Sequence, residues 1–229
     1  MISFSTSNVV WFRTFSNMVT TAKFSHDGKF LAVGQANDDT INIYNVPAFT
    51  LSSSFRAEHG NSETVYELDW YSDDSRMLTC ASDGKINQRK LSDGSYDFKK
   101  SIDTSNNVII CKYSSSNRAG MATDTGRMIV LKSDYSIDAN QSKNLVKDVD
   151  FKSGSNWLYG GCTCDKSVWQ LDTGGGSGTL NNYMNPNKDQ IWAISFAPDS
   201  TFLAAGGNAG HTYIIDITTG TRSLEAYWQ

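Results

Sequence analysis

The 229-residue sequence is poor in the features that mark membrane, secreted or nucleic-acid-binding proteins. No apolar run approaches the roughly 20 residues that a helix needs to cross a bilayer. Residues 1–15 lack the basic start, apolar centre and small-residue cleavage site of a secretory leader, so a soluble, cytoplasmic protein is expected. There is no long block of lysine and arginine, and the formal net charge is −4. A general electrostatic grip on nucleic acid is therefore not expected. Helical periodicity is absent over any long window.

Groups that carry chemistry are also scarce. The four cysteines are Cys80, Cys111, Cys162 and Cys164. A reducing compartment favours free thiols, and Cys162-Thr163-Cys164 has no second cysteine pair with which to hold zinc. The three histidines, His26, His59 and His211, fall in a turn, a linker and the start of a strand. They are read as structural or solvated. The run Gly174–Gly178 lacks the Gly-Lys-Ser/Thr ending of a phosphate loop and reads as a hairpin turn. No catalytic residue, cofactor or metal is expected.

What the sequence does have is a repeat. A β-branched residue, two variable residues, an apolar residue, a variable residue and an aromatic recur five times, at Val19–Phe24, Val65–Trp70, Val108–Tyr113, Val146–Phe151 and Ile191–Phe196. The aromatics lie 46, 43, 38 and 45 residues apart. Each copy is followed by a polar turn of Ser, Asp, Asn, Gly or Pro. A second strand rich in small residues comes next, as in Leu31-Ala-Val-Gly34 and Leu203-Ala-Ala-Gly206. A further turn, a third strand and a weaker fourth segment complete the unit. Four short strands at this period predict an all-β propeller of five four-stranded antiparallel blades. The blades form a single domain over residues 1–229, with repeats starting near 19, 65, 108, 146 and 191.

The segments "FSHDGKFLAVG", "ASDGK" and "ISFAPDSTFLAAGG" resemble the WD-repeat family. At the Trp-Asp position that ends the third strand stand Tyr44-Asn45, Arg89-Lys90, Leu131-Lys132, Leu171-Asp172 and Ile215-Asp216. The turn aspartate is matched by Asp38, Asp83 and Asp165, and replaced by Thr125 and Ala209. The Gly-His pair that opens many such repeats is missing, and with it the usual source of a buried His–Asp network. The resemblance implies a ring closed by the N-terminal strand, here Asn8–Phe15, completing the last blade. The other geometries are an open ring that a partner completes and a piece of a longer chain, and the other candidates for the last strand are Arg222–Trp228 and a strand from another protein.

The resemblance also implies a non-catalytic protein–protein interaction scaffold. Such a chain is a subunit of a larger multiprotein assembly, of a ciliary, cytoskeletal or trafficking kind. Its partners are other proteins, bound at the face where the first strands begin. The residue after each opening Val or Ile is expected to face solvent there. This gives Thr20, Tyr66, Ile109, Lys147 and Trp192, flanked by Asn17, Glu63, Asn107 and Gln190. The alternative is a five-bladed glycan-binding or glycoside-processing protein, in which Glu63 would be the acid.

Overall fold

The recurring motif spaces its apolar positions by three residues and then by two, which a regular strand with period two cannot accommodate on one face. The structure shows how it is done. A computed structural model describes residues 11–227 apart from 61, 103–105, 143–144, 156, 164–166, 174–178, 185–189 and 219–221. Residues 8–10, Cys164, Asp165, Gly174–Gly178 and Trp228 thus lie outside the described residues.

Five four-stranded sheets are formed, each in simple sequence order. Blade 1 comprises β1 (Val19–Phe24), β2 (Phe30–Gln35), β3 (Asp38–Asn45) and β4 (Thr50–Arg56). Blade 2 comprises β5 (Val65–Trp70), β6 (Arg76–Ala81), β7 (Lys85–Lys90) and β8 (Tyr96–Ser101). Blade 3 comprises β9 (Val108–Tyr113), β10 (Ala119–Thr123), β11 (Arg127–Leu131) and β12 (Ile137–Ser142). Blade 4 comprises β13 (Val146–Phe151), β14 (Trp157–Cys162), β15 (Val168–Asp172) and β16 (Thr179–Met184). Blade 5 comprises β17 (Ile191–Phe196), β18 (Phe202–Gly207), β19 (His211–Asp216) and β20 (Arg222–Tyr227).

Each first strand carries a β-bulge. Val65 pairs with Ala81 and Glu67 with Cys80, so Tyr66 is the extra residue. The same shift isolates Thr20, Ile109, Lys147 and Trp192. A bulge adds one residue and re-aims its side chain. The opening residue and the apolar residue three places on can therefore share a face: Val65, Leu68 and Trp70 are all buried.

The first strands of successive blades pack side by side, and each also lies against the second strand of the blade before it. That contact explains the small residues of the second strands. The crowding at these positions comes from the neighbouring blade. A methyl group on Gly161 would lie 2.7 Å from Ile191 Cγ2, and one on Gly120 would lie 2.6 Å from Phe151 and Leu158. Cys80 shares a core with Val108, and Ala122 with Val146.

Two expectations are corrected. The N-terminal segment does not complete the last blade, because β20 already pairs with β19 as its fourth strand. The described part of that segment instead lies against blade 1, where Trp11 stacks on Phe49 at 5.2 Å and also meets Tyr44. Among the described residues no packing comparable to the other interblade contacts joins β17 or β18 to β1 or β2. Second, Cys162 is disulfide-bonded, whereas Cys80 and Cys111 are buried free thiols. Among the described residues no helix is long and apolar enough to cross a membrane.

Gly161→Ala tests the interblade fit. Ile191 is β-branched and cannot swing away cheaply, so the variant should lose about 1–3 kcal/mol of unfolding free energy in a denaturant titration. A loss below about 0.5 kcal/mol would mean that Ile191 does not seat on Gly161.

Candidate functional site

The five bulges place one side chain per blade at the start of the innermost strand. Thr20, Tyr66, Ile109 and Lys147 are half-buried, and Trp192 is the most exposed at 50%. Their roles differ. The Thr20 hydroxyl donates to the carbonyl of Val65 on the next blade. Ile109 lies against the core shared by blades 3 and 4. Lys147 and Trp192 come together across the boundary of blades 4 and 5, with the ammonium 5.6 Å from the ring centroid, within cation–π range. Tyr66 stands two blades away from that pair.

The flanking residues are tied to the frame. Glu63 accepts a hydrogen bond from the Ser82 hydroxyl at 2.5 Å. The Gln190 side chain accepts from Asn208 Nδ2 at 2.9 Å, and its carbonyl accepts the Asn208 amide. The Asn107 carbonyl accepts the Asp124 amide at 3.0 Å. Asn17 is half-buried just ahead of β1.

A second group of polar residues, not singled out from the sequence, lines the same inner strands. The Asp69 carboxylate accepts the Tyr113 amide at 2.7 Å, Asp148 accepts that of Ile194 at 2.9 Å, and Asp150 accepts that of Phe196 at 2.8 Å. Each bond crosses from one blade to the next. Glu67 reaches back to the Thr21 hydroxyl of blade 1 at 2.6 Å. Lys112 stands between Asp148 and Asp150, at 3.6 and 3.8 Å. Burial pushes the Asp69 and Asp148 carboxyls above their usual values. Burial alone would lower the Lys112 ammonium, but Asp150 and Asp148 outweigh it and raise it. These carboxylates are engaged as acceptors for the neighbouring blade. Their signal in the sequence was the acid at the second or fourth residue after the bulged strand's opening position.

The histidines do not converge. His26 bonds Asp74 at 2.8 Å in a turn, and His211 lies 3.2 Å from the Tyr213 hydroxyl in blade 5. His59 is buried, with Nδ1 3.0 Å from Asp83 and Nε2 2.9 Å from Thr79. Asp39 of blade 1 fixes the same linker by accepting the amides of Glu58 and His59. Blade 2 thus contains the His–Asp network that the missing Gly-His pair had argued against; here the order is His59-Gly60. Burial would raise the Asp83 carboxyl, but hydrogen bonds from His59 and Lys85 prevail and hold it below its usual value. No cluster of three or more His, Cys, Asp or Glu arranged to hold a metal is found among the described residues.

Comparison with known proteins turns on these repeats. The model of the WD domain, G-beta repeat, matches residues 10–45, 50–88 and 178–216. The chain belongs to the WD-repeat family. The WD match in each of its last two segments takes in the outer strand of one blade, β4 or β16, and then runs through the first three strands of the next. Blade 3, where Thr125 replaces the turn aspartate, falls outside the matched segments. Among solved structures, a chain from "Crystal Structure of Mitotic Checkpoint Complex" superposes with a TM-score of 0.80 at 18% identity, over 96% of this chain and 70% of that one. At that identity the likeness establishes the WD-propeller fold alone. No match is found among curated proteins.

The His59 network predicts a pH-dependent contribution to stability. Because the folded Asp83 carboxyl lies below its unfolded value, the stabilisation is present above about pH 4 and is lost as pH falls through the folded value. Asp83→Asn should cost about 1–3 kcal/mol at neutral pH. In paired melts, its deficit against the wild type should shrink below about pH 4; a deficit independent of pH would argue against an ionised Asp83 in the network.

Proposed function

We propose that this WD-repeat chain is a non-catalytic protein-interaction scaffold, a cytoplasmic subunit of a larger assembly, and that it holds a protein partner on the face formed by the bulged residues. The observation that carries this reading is the repeated bulge. It sets a threonine, a tyrosine, an isoleucine, a lysine and a tryptophan out of register at the same point of each inner strand. Five unlike side chains suit an asymmetric peptide or protein surface better than a small symmetric ligand. Trp192 is half-exposed and lies against Lys147, and exposed tryptophan is a favoured anchor in protein interfaces. The structural relative comes from a protein complex, which is consistent with a scaffold. The glycoside-processing alternative gains no support, since Glu63 is bonded by Ser82 and the inner carboxylates hold backbone amides.

The double variant Tyr66→Ala, Trp192→Ala tests the face. In size-exclusion chromatography of native extract, the wild type should elute in a large complex and the variant near its own 25.3 kDa, still folded by circular dichroism. Loss of one anchor should weaken binding of the co-eluting protein by at least about 2 kcal/mol, roughly thirty-fold. A wild type that elutes as a free monomer would remove the main support for the assembly.

A further inference from the structure

We infer that the five blades form an open arc whose two end faces receive a partner contributing two more four-stranded blades. This goes beyond the scaffold reading, because it concerns the ends of the arc and not the bulge face.

The chain supplies its own control. At all four interior boundaries the opening residue of one blade is fully buried against the blade before it, as Val65, Val108, Val146 and Ile191 show. The receiving position on the second strand is small each time: Gly34, Cys80, Ala122 and Gly161. The closing aromatic also leans back on the preceding blade. Trp70 stacks on Phe30, Tyr113 meets Tyr71 and Phe196 meets Tyr159 edge to face, and Phe151 fills the space over Gly120.

Both ends of the arc repeat half of this arrangement. On blade 1 the opening residue Val19 is 43% exposed and the closing aromatic Phe24 is 59% exposed. On blade 5 the receiving position is again glycine, Gly206 opposite Ala193, yet among the described residues nothing lies within 4 Å of a methyl group placed on it. Blade 1 therefore has the insert without a socket, and blade 5 the socket without an insert. The family match also starts at residue 10. In the other two matched segments that part of the repeat is the outer strand of a preceding blade.

The size of the gap sets how many blades the partner brings. Five blades superpose on 70% of a longer chain of the same fold, and the remainder has room for about two blades more. Seven lies within the range of four to eight that propellers adopt, and ten, from a second copy added end to end, does not. The partner's first blade would place a β-branched residue on Gly206. Its second would offer a small residue to Val19 and an apolar surface to Phe24.

The experiment extends the full chain at its C-terminus with a second copy of residues 64–142, blades 2 and 3, and follows amide hydrogen exchange. In the 229-residue chain, amides of β1 and β18 should exchange faster than those of β5 and β14. In the seven-blade chain they should slow to the interior rates, and extension by blade 2 alone should not achieve this. Gly206→Trp should keep β18 fast in the extended chain while leaving the unfolding midpoint of the 229-residue chain unchanged. Interior-like protection of β1 and β18 in the monomeric 229-residue chain would overturn the proposal. So would equal protection by a one-blade extension, or a dimer in sedimentation velocity that covers both faces. The 229-residue chain keeps the bulge face throughout, so failure here is separable from failure of the scaffold reading.

Discussion

The insertion of one extra residue into every inner strand is the constraint on which this fold turns. A regular strand would send the opening residue and the following apolar residue to opposite faces. The bulge brings both to the side that meets the neighbouring blade. In doing so it takes the intervening residue out of the pairing register, leaving Trp192 exposed while Ile109 still rests on the core. Packing between blades and display of the variable residue are thus two results of one local irregularity, and neither can be changed without the other.

Around that constraint the blades are joined by a small set of repeated contacts. An opening Val or Ile seats over a small residue, an aromatic leans on the preceding blade, and inner-strand carboxylates accept amides across the boundary. The turns after the first strands add another. Asp74, Asn117 and Ser200 all adopt left-handed φ and reach the amides of His26, Ser72 and Ser153 in the blade before. A side chain at such a position carries a conformational cost that glycine avoids. The interblade hydrogen bonds offset it.

The five first strands, the polar turns and the third-strand positions were legible in the sequence because they recur at a steady interval. The bulge was written there too, as the step of three before the step of two, although the spacing alone did not say which irregularity produced it. Closure was not legible. The segment "NVVWFRTF" has the composition of a strand, and only pairing reveals that Arg222–Tyr227 holds the fourth place in blade 5 while Trp11 lies on blade 1. The His59 network was missed because a reversed dipeptide places the imidazole on the same Asp83 and Thr79. The inner carboxylates gave a weak signal, since alternation makes an acid in a strand look solvent-facing.

Because each blade touches only its neighbours, the arc behaves as a linear array whose stability is a sum of unit and nearest-neighbour terms. Among the described residues, blades 2, 3 and 4 each pack on two such neighbours and blades 1 and 5 on one. Local opening is therefore expected to follow a spatial gradient from the ends towards blade 3, and the Lys147–Trp192 pair spans the boundary between terminal blade 5 and blade 4. Joining the ends would convert that gradient into a single cooperative unit.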